Sequence, residues 1–306
     1  PRAHSLVETE AMARAAVRAK AVTQMGNQHH ASDGYRRAVQ ILQAGSLGPV
    51  RDVLCWTTNP IWKQGLDRPE GEKPVPAGFD WDLWLGPAPW RPYHEAYREP
   101  HWRGWWDFGG GTLADYLPHL FDPIFEGLRL TAPLRVSAET SETHEASAPA
   151  WSVVQFEFPA RDALPPVTMR WYDGGRTPPV EKTGIERLPP HGSLVLGERG
   201  NLYVPSHGKP PIAIAANSDQ PLALPDARPP GATTHWQAWA AACKSRGATA
   251  SDFNYGAALT DVALVGNLAI RTGESITWDA AARRVTNVAR ANDFVHREYR
   301  RGWSLD

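Results

Sequence analysis

Between residues 134 and 206 the chain holds five short runs: LRVSAETS (134–141), WSVVQFEF (151–158), VTMRWYD (167–173), GSLVLGE (192–198) and NLYVPS (201–206). Each is rich in β-branched or aromatic residues and bounded by turn formers, which reads as a strand. Short strands in close succession constrain the fold more than any other feature, because such neighbours pair by hairpins into a mainly antiparallel sheet. VRDVLCWTT (50–58) alternates in the same way, and GERGN (197–201) reads as a hairpin turn.

Ahead of these strands the character differs. Residues 4–19 place Ser5 as an N-cap with Glu8 three positions on, a capping box opening an Ala-rich helix. AVTQMGNQ (21–28) reads as a short strand, and residues 33–44 as a helix stopped by Gly45 and Gly48. Helix, strand, helix is the pattern that closes a doubly wound α/β domain. A Trp/Pro/Gly-rich stretch (59–107) shows little periodicity, and a loop that long is usually functional or wraps another surface. Helices are predicted over 111–128, 234–246, 257–272, 279–283 and 289–300, with a Pro-rich loop over 205–230.

The 306 residues suffice for one large domain or two ordinary ones. A net charge of −1 gives no electrostatic basis for capturing nucleic acid or an anionic membrane, so neither is expected as a partner. No apolar run approaches the length of a membrane span. Cys55 and Cys243 match no metal spacing and are expected to be buried thiols or one disulfide. The 14 Trp, many between Trp81 and Trp106, serve either as core or as flat faces for stacking on sugar rings.

WRGWWDFGGGTLADYLPHLFD (102–122) holds the densest chemistry. Asp115 and His119 are four apart and share one face of a helix, with Asp122 three further on along nearly the same face. A carboxylate beside a histidine suits acid/base work at a hydroxyl-bearing carbon, although the spacing is common on helix surfaces. Gly109 to Gly111 permit a close backbone approach. Pro118 and Pro123 interrupt the expected helix. Trp102 and Arg103 are candidates to border the cofactor or substrate, or form a stacking pair. Asn27 and Gln28, with Gln24, end the predicted strand 21–28, where open α/β sheets place ligands. His235, with Trp236 and Trp239, is a substrate-pocket candidate or a packed histidine. His29–His30 lack a third ligand at useful spacing, so no metal is expected. Arg176 and Lys182 lie in a polar loop after WYDGG (171–175), and no G-x-S-x-G elbow occurs.

The pattern W-R, then G-G-G-x-x-x-D-x-x-x-H-x-x-D, resembles the motif of the Gfo/Idh/MocA oxidoreductases, the family of glucose-fructose oxidoreductase and inositol dehydrogenase. QMGNQ (24–28), DWDLWLGPAPWRPYH (80–94), WYDGG (171–175), GNLAIRTG (266–273) and REYRRGW (297–303) are similar to one Trp-rich branch of it. The resemblance implies a Rossmann domain that binds NAD or NADP, followed by an α/β domain with a large, mainly antiparallel open sheet. That sheet forms the substrate pocket and often a homo-oligomer interface. It further implies catalysis by a Lys of an E-K-P motif together with Asp115 and His119. From the residues themselves, Asn27, Gln28, Trp102 and Arg103 are expected at the cofactor, and Asp122 and His235 at a carbohydrate-like substrate.

PRAHSLVETEA resembles the residues that begin at the Pro of E-K-P, and no G-x-G-x-x-G occurs. The expectation is therefore a C-terminal remnant of a Rossmann domain over 1–48 and a substrate and oligomerisation domain over 49–306, the chain being truncated. Any export signal would lie upstream of Pro1, which leaves the compartment, cytoplasmic or exported, open. Two further readings stand beside hydride transfer: an NAD-dependent glycosidase acting by transient oxidation and elimination, and a non-catalytic sugar-binding or assembly module.

Overall fold

The computed structural model describes residues 3–179, 181, 183, 185–216, 220–227 and 233–305. Its centre is a sheet of nine strands: β1 (Val50–Thr57), β2 (Arg135–Thr140), β3 (Ser152–Phe158), β4 (Val167–Tyr172), β5 (His191–Gly197), β6 (Gly200–Pro205), β7 (Ile212–Ala215), β8 (Ile276–Asp279) and β9 (Arg284–Val285). They lie in the order β7-β6-β5-β1-β4-β3-β2-β8-β9. Seven pairings are antiparallel, and the β1·β4 pairing alone among them is parallel. The sheet is thus large, mixed and mostly antiparallel, as the strand pattern predicts.

Alternation along the strands divides the core. Val53 and Cys55 of β1 join Met169 and Trp171 of β4 in the main core, while Leu54 and Trp56 join Tyr172 on the other face. Side chains on a strand point to opposite faces with period two, so one run of eight residues serves both layers. The main core is closed by helices α1 (Leu6–Arg18), α2 (Asp33–Gln43), α4 (Gly111–Leu120), α5 (Asp122–Gly127) and α7 (Phe253–Thr272). Over the other face runs the chain before β5, where the Trp56 indole donates to Pro189 O at 2.7 Å.

The capping box of α1 forms as read: Glu8 N donates to Ser5 Oγ and Ser5 N to Glu8 Oε2. Arg297 and Tyr299 also bind Glu8, so the C-terminal segment is strapped across the start of α1. α2 ends at Gln43 with Gly45 at φ +66°, the left-handed stop its glycine implied. α1 and α2 contribute Leu6, Ala38, Ile41 and Leu42 to the same core as the sheet.

Several expectations are corrected. Residues 21–28 form no strand; Met25 N donates to Ser251 O, and Gln28–Ala31 is a 3-10 turn. No strand of the described residues lies beside this segment to complete a ladder, and its alternating residues bind the start of α6 (His235–Ser245) and the loop before α7 instead. The single helix expected over 111–128 is two, broken at Phe121. That break relieves Pro123, which falls in the first turn of α5, where a missing N–H costs nothing. Pro118 stays inside α4. β7 lies within the stretch read as Pro-rich loop, and residues 279–283 form the turn between β8 and β9 rather than helix. Cys55 is buried and Cys243 exposed, both free.

The 59–107 excursion builds its own small core from Trp81, Leu85, Tyr93, Tyr97 and Trp105 around α3 (Trp81–Leu85). Most tryptophans there are thus spent on packing, edge-to-face pairs such as Trp81–Tyr93 included.

Candidate active site

Three glycines open α4, and each is demanded by the protein's own packing. A Cβ on Gly109 would meet Arg103 O at 2.4 Å, and one on Gly111 (φ +66°) would meet the Ala148 Cβ at 2.4 Å. Asn267 Nδ2 donates to Gly110 O at 3.0 Å. Close approach therefore seats α4 against the 146–149 segment and α7. The first turn so fixed lines an open pocket of about 600 Å³ with Ala3, His4, Trp102, Arg103, Phe108 and Asp115.

Asp115 is half-buried, 3.5 Å from Arg103 Nε. Burial pushes its carboxyl pKa up, and the Arg103 guanidinium opposes that rise. Arg103 is itself held by Glu99 at 2.7 Å and lies over the rings of Trp102 and Trp62. One turn on, His119 presents an Nδ1 that is buried without a hydrogen-bond partner among the described residues. Burial lowers its pKa to about 4, so the imidazole is neutral at neutral pH. The ring of His29 stands edge-on to His119 at 6.3 Å, and His207 stands edge-on to His29 at 5.4 Å.

Sequence reasoning missed the neighbours on the same side of α4. Tyr116 accepts a hydrogen bond from Asn59 and stacks between Trp62 and His191, each 6.0 Å away. His191 Nδ1 is 2.8 Å from Thr57 Oγ1. Tyr116 follows Asp115 directly, and that adjacency is the one signal the sequence held for it.

The remaining candidates fall into a second group. Asp122 is 2% exposed and its carboxylate is enclosed by donors: Asn27 Nδ2 at 2.7 Å, His30 Nδ1 at 3.1 Å and Tyr255 OH at 2.5 Å. Burial and this carboxylate push the Tyr35 and Tyr255 hydroxyls upward, so both remain protonated donors. Asn27 Oδ1 accepts from Ser251 Oγ at 2.6 Å. His235 is buried with Nε2 2.8 Å from Met25 O, and its own carbonyl accepts from Gln24. Asp122, Asn27 and His235 therefore do not join the Asp115 pocket; they fasten the 24–31 segment to α5, α6 and α7. Gln28 is exposed and also stands apart from the pocket. His29 and His30 point different ways, one toward His119 and the other to Asp122. Arg176 stacks on Trp151 at 3.9 Å, and Lys182 and Pro1 lie outside the described residues.

Residues 37–163 match the family model described as "Oxidoreductase family, C-terminal alpha/beta domain", the Gfo/Idh/MocA type. No match is found among curated proteins. Among solved structures the chain is similar to the WlbA dehydrogenase of Bordetella pertussis in complex with NADH and UDP-GlcNAcA: TM-score 0.56, 14% identity, 90% of this chain and 69% of that one. It is similar to an inositol dehydrogenase homolog of Azotobacter vinelandii bound to NADH and myo-inositol, with TM-score 0.52, 13% identity and the shares 90% and 69%. The aldose-aldose oxidoreductase of Caulobacter crescentus, in complex with glycerol, gives TM-score 0.51, 14% identity and again 90% and 69%. At these identities the likeness is one of fold. Residues 37–163 thus match the C-terminal alpha/beta domain of the Gfo/Idh/MocA oxidoreductases, and the chain shares the fold of these solved structures.

Proposed function

We propose that the chain forms the substrate-binding and proton-transfer part of a nicotinamide-dependent oxidoreductase, moving a hydride between a sugar or cyclitol hydroxyl carbon and NAD or NADP. The observation that carries this reading is the pair on α4: Asp115 at a pocket rim beside Arg103, and His119 one turn away with an unpartnered Nδ1. In the same reading residues 1–48 close a nucleotide-binding unit, and residues 49–306 supply the substrate pocket and a homo-oligomer interface on the open sheet.

The pocket fits the reacting end of a nicotinamide. Trp102 and Phe108 offer aromatic surface, and Gly109 to Gly111 give a floor free of side chains. No G-x-G-x-x-G turn occurs in these residues to cradle a pyrophosphate. A nicotinamide held there would supply the hydride acceptor. His119, neutral because burial holds its pKa at about 4, is the base that takes the hydroxyl proton in this reading. Asp115 accepts hydrogen bonds from neighbouring hydroxyls, and Arg103 favours its charged form. Trp102, partly exposed at the pocket, presents a face on which a sugar ring stacks.

The test is hydride transfer from a panel of aldoses, sugar acids and cyclitols to NAD, NADP or nicotinamide mononucleotide, the last needing only the nicotinamide end of the site. Carbohydrate binding and reduced nicotinamide should both fall in Asp115→Asn and His119→Gln. Binding of no carbohydrate-like compound, or turnover unchanged in both variants, overturns the reading. A released aglycone without net cofactor change would favour elimination instead.

A further inference from the structure

A second cavity, of about 980 Å³ with its mouth, is lined by Arg68, Trp106, Asp107, His144, Arg271 and Phe294 among others, and shares no lining residue with the Asp115 pocket. Arg271 stands in the last turn of α7, where the carbonyl ends favour a cation. Its guanidinium lies 3.7 Å from the centroid of Phe294 and 5.3 Å from that of Trp106. Among the described residues it makes no hydrogen bond and no ion pair. Arg91 and Arg161 are more deeply buried, and each finds acceptors, in Asp107 for one and in three carbonyls for the other.

An Arg stacked on aromatic faces keeps its stem and planes covered while its N–H edge stays free, and that edge matches the two oxygens of a carboxylate. The surrounding charge sets the size of the anion. Asp107 is taken by Arg91 and approached by Arg68 at 3.9 Å, and His144 Nδ1 is engaged by Asp67 at 2.9 Å. Glu145 also lines the cavity. With Asp107 already shared by Arg91 and Arg68, the Arg271 guanidinium is left without a carboxylate partner among the described residues, and one guanidinium suits a single negative charge better than a dianion.

We propose that the Arg271 cavity is a binding site for a small monocarboxylate, held edge-on by the guanidinium between the Trp106 and Phe294 rings. The occupant is defined by a flat, singly charged carboxylate whose carbon end faces aromatic surface. Burial draws the Arg271 pKa down to about 10, in keeping with a cation that lacks its counter-ion.

The test uses the full chain, with ¹³C-labelled acetate followed by line broadening and by calorimetry against chloride at matched ionic strength. Saturable acetate binding is expected, weakened roughly tenfold or more in Arg271→Met and less in Arg271→Lys, which keeps the charge but loses the fork. His119→Gln should bind acetate as the parent does. Absence of saturable binding overturns the proposal, as does equal binding by a folded Arg271→Met, or inorganic phosphate binding more tightly than acetate. Should Arg271→Met not fold, an Arg271→Lys variant with undiminished affinity overturns it as well.

Discussion

The Asn27 amide donates to Asp122 Oδ2 over 2.7 Å, joining residues 95 positions apart in the sequence at the point where α4 gives way to α5. Because His29 lies two residues from one end of this bond and His119 three from the other, it sets the spacing of two rings at the candidate site.

Removing the carboxylate should therefore destabilise first and impair second. Asp122→Ala strips acceptors from Asn27, His30 and Tyr255 in a buried setting, with an expected loss of about 3–5 kcal/mol in denaturant unfolding. Asp122→Asn, which keeps one acceptor, should lose less. A loss below about 1 kcal/mol for the alanine variant would mean the segment 24–31 is held by other contacts.

His119 gives the chain an acid-sensitive component. Its folded pKa, about 4, lies below the unfolded value near 6.5, so between these values the unfolded chain takes up a proton that the folded chain refuses. The stabilisation is present above pH 6.5 and is lost as pH falls toward 4, on the order of 3 kcal/mol in all. His4, also lowered to about 4 by burial, adds in the same window. Asp173, raised to about 6 by burial, acts in the opposite sense, so the reading must be a difference. Unfolding free energies of the parent and His119→Gln should converge as pH falls from 6.5 to 4, and parallel curves would remove His119 as the cause.

Arg103 lowers the Asp115 pKa against the effect of burial. Arg103→Met should move the Asp115 titration, followed by carboxyl NMR, to higher pH. In an active preparation kcat/KM should fall roughly tenfold or more, mainly through KM if Arg103 only orients substrate. An unmoved titration would show that the 3.5 Å contact is not maintained in solution.

Two glycines with the same φ of +66° separate backbone strain from crowding. Gly45→Ala meets nothing within 4 Å and should cost about 1–2 kcal/mol, the left-handed penalty alone. Gly111→Ala adds a Cβ 2.4 Å from that of Ala148 and should cost a further 1–3 kcal/mol. Equal losses in thermal unfolding would place the burden on φ rather than on the seating of α4.

The sheet was legible because alternation is local: β2 to β6 and the capping box of α1 stand within a residue or two of where periodicity puts them. The site was legible only in part. On one continuous helix Asp122 shares a face with Asp115, but the break at Phe121 swings it into the core, and no local signal distinguishes a helix that continues from one that restarts at a proline. Residues 21–28 have the alternation of a strand, yet a ladder needs a partner strand, which alternation cannot supply. His29 reads as half of a metal pair because its neighbour is a histidine, whereas its ring partner is ninety residues away.

β1 is the first of the nine strands in chain order yet lies inside the sheet, flanked by β5 and β4. From Thr57 the chain must travel to Val167 before one neighbour exists and to His191 before the other does. Until then Val53, Leu54, Cys55 and Trp56, all buried on completion, have no sheet to join. Assembly of this protein is therefore governed by closing long loops rather than by local pairing, and the half-made chain is at its most aggregation-prone while β1 waits.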